Sequence, residues 1–165
     1  MKIKYISGDM IDMMKDPEWL KVPTIFVHGC NCHTAMNSGI AGGISKFFPE
    51  APEADRLYQK LFKQKDGTVS MDMLGLYSWI PLEYGSKLVN LYTQYFPGPD
   101  LRLEALEEGF INIASDYGYD GYRLVFPKIG AGIAGGDWEV ISKVIENTLD
   151  DDDFEEVICV EWDKR

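Results

Sequence analysis

The chain has 165 residues, of which 45% are apolar, and this is enough for one domain with one real core. Its formal charge of −11 excludes the basic face of a nucleic-acid binder and attraction to an anionic membrane, so we expect neither partner. A small anionic ligand is not excluded, but backbone N–H groups would have to hold it, with at most one local cation.

Apolar periodicity and turn residues divide the chain into alternating strands and helices. In chain order we predict a strand over residues 2–7, a helix over 10–15, a strand over 24–29, helical segments over 44–48 and 54–63, strands over 73–80 and 87–94, a helix over 101–117, a strand over 122–126, a helix over 138–149 and a last strand over 156–162. Asp9 and Asp137 suit the N-caps of the helices that follow them. The alternation predicts one sheet, parallel in its centre and covered on both faces.

The N-terminus alternates apolar and polar residues and lacks the apolar core of a signal peptide. No apolar stretch approaches the roughly 20 residues of a membrane span. The cysteines number three, and two of them are one residue apart, which is typical of reduced thiols. We therefore expect one cytoplasmic domain over residues 1–165, and a monomer.

Two glycine-rich segments each follow a predicted buried strand and precede a helix. The first glycine segment is residues 37–43 and the second is residues 130–136. Glycines let the backbone turn and approach a ligand closely, and helix N-termini favour anions. Each segment alone is also explained as a packing turn. Because ligands bind beyond the carboxyl ends of parallel strands, two such segments at one edge favour a site for a diphosphate-bearing nucleotide.

Other polar residues near these segments have two open interpretations each. His28, Cys30, Cys32 and His33 are metal-ligand types, but no second Cys/His pair exists and small buried cysteines are the favoured reading, so we predict no metal. Asn31 and Asn37 suit sugar hydroxyls or turns. Asp9 suits a helix cap or an acceptor for an amino group such as that of adenine. Among the aromatic residues, Phe96 is the best candidate to face a ligand from a loop.

Four motifs in order resemble the macro domain family over almost the whole chain. They are the strand followed by Gly8-Asp9, FVHGCNC with GIAGGI after the second strand, NLYTQ at residues 90–94 and PKIGAGIAGGDW at 127–138. The His-x-x-Asn-Cys form of the first loop looks most like the branch with the yeast ADP-ribose-1″-phosphate phosphatase and the terminal ADP-ribose glycohydrolase. The resemblance implies a three-layer α/β/α sandwich with a mixed, largely parallel six-stranded sheet. It also implies ADP-ribose as ligand, without a cofactor.

The resemblance implies a ligand contact for each residue that matches one of these motifs. Asp9 would accept from the adenine amino group, with Met10 nearby, and Asn31 would hold the distal ribose beside Phe96. The first segment would contact that ribose and a phosphate, and the second would wrap the diphosphate. The segment residues concerned are Asn37, Ser38, Gly39, Ile40 and Ala41 in the first, and Gly130, Ala131, Gly132, Ile133 and Ala134 in the second.

The departures from the family pattern decide the expected reaction. The glycohydrolase branch has a lysine and an aspartate where this chain has Gln94 and Ala134, which puts its covalent intermediate in doubt. The phosphatase-like members keep a histidine at the position of His28. We therefore expect metal-free hydrolysis of ADP-ribose 1″-phosphate, with Asn31 in the catalytic site and His28 as general acid or base. A buried, structural His28 stays an open interpretation, as do removal of ADP-ribose from acidic side chains and non-catalytic binding.

Overall fold

The computed structural model describes residues 1–163, so the last two residues of the predicted domain lie outside the described chain. Its strands are β1 (Lys4–Gly8), β2 (Thr24–Asn31), β3 (Tyr77–Pro81), β4 (Lys87–Gln94), β5 (Arg123–Phe126) and β6 (Val157–Trp162). Its α-helices are α1 (Met10–Lys15), α2 (Gly39–Phe47), α3 (Glu50–Lys60), α4 (Leu103–Tyr117) and α5 (Trp138–Thr148). In this part of the chain no helix is long and apolar enough to cross a bilayer.

The six strands form one mixed sheet in the order β1-β6-β5-β2-β4-β3. Each neighbouring pair is parallel except β3 and β4, which are antiparallel. The carboxyl ends of the five parallel strands therefore meet at one edge of the sheet. Both glycine segments begin at this edge, the first after β2 and the second after β5.

Helices cover both faces of the sheet, as the alternating pattern predicts. On one face, α4 and α5 bury Leu106, Phe110 and Ile141 against residues that include Val27 and Phe126. On the other face, α1, α2 and α3 pack on alternate residues of the same strands. This two-sided burial explains why β2 is buried over nearly its whole length and carries an apolar run at residues 25–27. The predicted three-layer α/β/α architecture is confirmed.

Three elements begin about four or five residues away from their predicted starts, whereas the other starts differ by at most about two residues. The helix predicted from residue 44 begins at Gly39, so residues 39–43 of the first glycine segment are helical. The helix predicted from residue 54 begins at Glu50, because Pro52 lies in its first turn, where a missing N–H costs no hydrogen bond. The strand predicted from residue 73 begins at Tyr77, because Ser70 caps a short 3-10 turn, Met71–Met73, ahead of it.

Candidate ligand-binding cleft

Three adjoining cavities lie at the carboxyl edge of the sheet. The apolar cavity, of about 480 Å³, lies between Gly8–Ile11 and the side chains of Phe47 and Trp162. The central cavity, of about 290 Å³, lies between the two glycine segments. The distal cavity, of about 110 Å³, lies beyond Ser38 towards Asn31 and Gln94. Neighbouring cavities share lining residues, Gly39 and Ile40 at one junction and Ser38 and Ala41 at the other, so the three form one cleft.

Most of the predicted site residues line this cleft. Asp9 and Met10 line the apolar cavity, and Asn31 and Asn37 line the distal cavity. Residues 38–41 of the first segment line the central cavity, facing Gly130 and residues 132–134 of the second. Ala131 instead packs on the core beneath α5. The structure therefore brings together residues that lie more than one hundred positions apart in the sequence.

Asp9 stands where β1 ends and α1 begins. Its Oδ1 accepts from the N–H of Ile11 at 2.8 Å and of Asp12 at 3.4 Å, so Asp9 is the N-cap of the helix, as predicted. A carboxylate has a second oxygen, and Asp9 also lines the apolar cavity. Capping the helix and accepting from a ligand are therefore compatible roles.

The first glycine segment places the N-terminus of α2 against the central cavity. Ser38 is the N-cap position, and the first helical bond runs from the Gly42 N–H to the Ser38 carbonyl, at 3.1 Å. The N–H groups of residues 39–41 precede that bond and have no helical partner. A Cβ at Gly42 would lie 3.1 Å from the backbone of Asn37, so this close approach favours glycine. These N–H groups form a site suited to an anion.

The second glycine segment folds back on itself. Three of its carbonyls accept hydrogen bonds within the protein: Gly130 from Gly136 at 2.8 Å, Gly132 from Gly135 at 3.0 Å and Ala134 from Leu101 at 3.2 Å. The N–H groups of residues 132–134 have no backbone acceptor anywhere in residues 1–163. With these three carbonyls occupied and three N–H groups without a backbone acceptor, the segment favours a negatively charged group in the cavity.

The distal cavity is lined by side-chain amides and small residues. Asn31 accepts from the N–H groups of His33 and Ala35, at 2.9 and 3.3 Å, and donates to the Ala35 carbonyl at 3.0 Å. Gln94 donates to the carbonyls of Phe96 and Gly98, at 2.7 and 2.8 Å. Both amides thus hold the loops that form the rim. Among the described residues, this cavity has no lining side chain that is charged at neutral pH.

The side chain of His28, in β2, lies on the face of the sheet that α3 covers, and it lines none of the three cavities. It is fully buried, and burial lowers its pKa from 6.5 to about 4, against the opposing effect of its hydrogen bond with Asn90. The bond from its Nε2 to Asn90 Oδ1 is 2.6 Å long. Its predicted catalytic role stays a prediction, which this position does not support.

The bond with Asn90 begins a chain of buried hydrogen bonds. Asn90 donates to Ser78 at 3.1 Å, and the Ser78 hydroxyl lies 2.8 Å from that of Tyr92. Tyr92 in turn donates to Asp55 Oδ1 at 2.8 Å. Burial raises the pKa of Asp55 from 3.8 to about 6, although the Tyr92 bond and Arg56 oppose the shift. This buried chain joins β2, β4, β3 and α3.

Phe96 lies outside the residues that line the distal cavity. Its ring is half exposed and stacks on His33, with ring centroids 5.3 Å apart and planes at 4°. Tyr95 packs edge-on against both rings. Its predicted contact with a ligand stays a prediction. In the described chain, no three His, Cys, Asp or Glu side chains are grouped to hold a metal ion.

Several cleft residues were missed by the sequence reasoning. Phe47 and Trp162 form walls of the apolar cavity, and both side chains are half exposed or more. Thr93 and Lys128 line the central cavity, and Lys128 pairs at 4.0 Å with Glu161. Trp162 ends β6, so the rule that brought the glycine segments together also indicates Trp162. Phe47 carried no comparable signal, because its position depends on where α2 begins.

Two other cavities lie away from the glycine segments. One, of about 360 Å³, is lined by charged residues that include Arg102, Glu104 and Glu108. The other, of about 370 Å³, lies between α4 and α5 near Ile111. Neither adjoins the carboxyl edge of β2 and β5, so the three connected cavities form the candidate site.

No model of a protein family matches the sequence. An uncharacterized 17.5 kDa protein from the tk-vs intergenic region of Enterobacteria phage T4 is 29% identical over 166 residues, which cover 99% of this chain and 98% of that protein. The similarity therefore extends from end to end of both proteins.

Solved structures match the whole described architecture. A protein of unknown function from Bacteroides thetaiotaomicron matches with a TM-score of 0.78 and 24% identity, over 98% of each chain. A macrodomain protein from Streptomyces coelicolor matches with a TM-score of 0.73 and 21% identity, over 97% of this chain and 98% of that one. Thermosipho africanus DarTG in complex with ADP-ribose matches with a TM-score of 0.72 and 14% identity, over 99% of this chain and 42% of that one. The chain therefore has the macrodomain fold that its motifs predict.

Proposed function

We propose that this chain binds ADP-ribose in the cleft. The observation that carries the proposal is the order of the three cavities: an apolar one, one between free backbone N–H groups, and one lined by amides. Adenine, diphosphate and distal ribose follow one another in the same order. DarTG of the same fold has been solved with ADP-ribose, which supports the assignment.

The apolar cavity would take the adenine. Ile11, Phe47 and Trp162 offer apolar and aromatic surface, and aromatic side chains favour flat partners. Asp9 would accept from the adenine amino group while its Oδ1 keeps capping α1. The carboxylate would discriminate adenine from a base that presents a carbonyl there, because two acceptors would then face each other.

The central cavity would take the diphosphate. The free N–H groups at the start of α2 and those of residues 132–134 face it from two sides. Lys128 is the one basic residue among the described lining residues of the cleft. Backbone amides would therefore supply most of the binding, as the formal charge of −11 requires.

The distal cavity would take the second ribose, and a phosphate on its 1″ carbon would lie among Asn31, Asn37 and Ser38. We extend the proposal to hydrolysis of ADP-ribose 1″-phosphate at this end. Orientation and the amides of residues 38–41 would stabilise the transferring phosphoryl group. Because the described lining offers no charged acid or base, turnover would lack a contribution of about 10²–10⁴-fold and be slow.

Two other functions predicted from the sequence fit the same cleft. A non-catalytic ADP-ribose reader needs only the three cavities, and the uncharged distal lining favours it as the second candidate. Removal of ADP-ribose from acidic side chains would need groups other than Gln94 and Ala134, which replace the lysine and aspartate of that branch. The assignment to that branch stays a prediction.

Calorimetry with ADP-ribose, together with phosphate release from ADP-ribose 1″-phosphate, tests the proposal. We expect stoichiometric binding of ADP-ribose and slow release of phosphate. Binding without phosphate release would favour a non-catalytic ADP-ribose reader as the function. Release of ADP-ribose from a peptide modified on acidic side chains would favour the protein hydrolase. Absence of ADP-ribose binding would contradict the proposal as a whole.

A further inference from the structure

The side chain of Thr93 stands out among the groups that line the central cavity. It is fully buried, and its hydroxyl has no hydrogen-bond partner within residues 1–163. Its backbone carbonyl, in contrast, accepts from the Arg102 N–H at 2.9 Å. The backbone of Thr93 is therefore held in place while its hydroxyl is left unpaired.

A local irregularity of the sheet accompanies this hydroxyl. Cys30 pairs with Tyr92 and Asn31 with Gln94, so Thr93 is an extra residue in β4 and forms a β-bulge. Bulges redirect side chains and are frequent beside active sites. Here the bulge stands where β2 and β4 reach the cleft.

Gly29 of β2 makes room for the same hydroxyl. A Cβ at Gly29 would lie 2.8 Å from Thr93 Oγ1, so any larger residue would press on the oxygen. Gly29 also lines both the central and the distal cavity. A glycine and a bulge on neighbouring strands thus combine to place one hydroxyl at the floor of the cleft.

A buried hydroxyl without a partner destabilises the fold, so such groups are rare in folded proteins unless something else satisfies them. The other unpaired buried atoms, on Trp19, His33, Asp55 and Arg123, belong to residues that line none of the three cavities. Thr93 alone among the five combines a missing partner with a position in the cleft.

We propose that Thr93 Oγ1 donates a hydrogen bond to an oxygen of the ligand's diphosphate and is a further ligand-binding residue of the site. This inference rests on the proposed binding of ADP-ribose. Thr93 lines the central cavity but neither of the two adjoining cavities. In the central cavity the free N–H groups of both glycine segments already favour a negative charge. The hydroxyl thus adds a side-chain donor to a cradle otherwise made of backbone.

The test compares Thr93→Val, which keeps the shape and removes the hydroxyl, with Thr93→Ser, which keeps the hydroxyl. Thr24→Val is the matched control, because Thr24 is equally buried at the far end of β2 and its hydroxyl already donates to the Val22 carbonyl at 2.9 Å. Calorimetry gives the Kd of each variant for ADP-ribose, and thermal unfolding without ligand gives the Tm.

We expect Thr93→Val to raise the Kd about 10- to 100-fold, as for a hydrogen bond to a charged group. Its Tm without ligand should equal or exceed that of the wild type, because an unpaired hydroxyl is removed. Thr93→Ser should bind within about threefold of the wild type. Thr24→Val should show the opposite pattern, a lower Tm with an unchanged Kd.

Two results would overturn the inference while leaving the proposed function intact. One is that the wild type binds ADP-ribose and Thr93→Val binds it with the same Kd. The other is a Thr93→Val variant whose Tm falls as that of Thr24→Val does, because the hydroxyl would then be structural. A wild type that does not bind ADP-ribose would instead overturn the proposed function and this inference together.

Discussion

Asp9 caps α1, and a single substitution can separate this cap from its proposed role as an acceptor for the ligand. Asp9→Ser keeps an N-cap hydroxyl for α1 but removes the carboxylate from the apolar cavity, whereas Asp9→Ala removes both. We expect Asp9→Ser to keep the wild-type free energy of unfolding and to weaken ADP-ribose binding. Asp9→Ala should weaken binding and also lose about 1 kcal/mol of stability, measured by urea denaturation.

Asp137 provides the matched control for Asp9. It caps α5 by accepting from the Glu139 N–H at 2.9 Å, and it lines none of the three cavities. Asp137→Ala should therefore lose similar stability without a change in affinity. An Asp9→Ser variant with wild-type affinity would show that Asp9 is a cap and no more.

At the scale of single residues, most of the predicted site residues line the cleft, but sequence reasoning could not assign His28. Residues alternate between the two faces of a strand, so His28 and Gly29 point in opposite directions. Gly29 reaches the cleft, whereas His28 turns towards α3. Which face holds the site depends on how the helices pack, and no local pattern in β2 reports that packing.

At the scale of elements, the helix α1 and the strand β4 were predicted to the residue. Their signals are local: a capping aspartate and a following proline for α1, and for β4 a preceding turn near residues 83–86. The start of α2 was missed because glycine is a poor helix former. Tertiary packing against β2 and α1 overrides that propensity, and the free N–H groups of the cleft result from it.

The contact between α3 and β4 has a pH dependence with two opposing parts. Asp55 binds its proton more tightly when folded, with a pKa raised from 3.8 to about 6 by burial, so its part of the stability rises as the pH falls through this range. His28 binds its proton more tightly when unfolded, since burial lowers its pKa from 6.5 to about 4, so its part is lost as the pH falls from 6.5 to 4.

Variants should separate the contributions of Asp55 and His28 to the pH dependence of stability. Between pH 6.5 and 4, we expect the free energy of unfolding of Asp55→Asn to fall more steeply with falling pH than that of the wild type, because His28 is then unopposed. The free energy of unfolding of His28→Gln should fall less steeply than that of the wild type over the same pH range. Urea denaturation at a series of pH values measures all three. Parallel curves would show that neither group titrates as its burial implies.

At the scale of the whole molecule, the formal charge of −11 and the backbone cradle predict how binding responds to salt. A site built on lysines and arginines loses affinity as salt screens attraction. Here screening weakens repulsion between an acidic protein and an anionic ligand, so raising NaCl from about 50 to about 300 mM should leave the Kd for ADP-ribose unchanged or lower it. Calorimetry at both concentrations measures this.

The Lys128→Ala variant serves as the control for that response. Lys128 is the one basic residue among the described lining residues, and its loss should make the tightening with salt more pronounced. If the wild-type affinity instead falls several-fold with salt, then cationic side chains hold the ligand, and the emphasis on backbone N–H groups is wrong.

The apolar cavity joins opposite ends of the chain. Gly8 ends β1 and Trp162 ends β6, and the two residues are partners in the parallel register of these strands. Because β1 is an edge strand whose neighbour is β6, the first strand has no sheet to join until the last one has been made. A growing chain therefore lacks the complete apolar cavity until β6 has been made, and affinity for the ligand would report that β1 and β6 have paired.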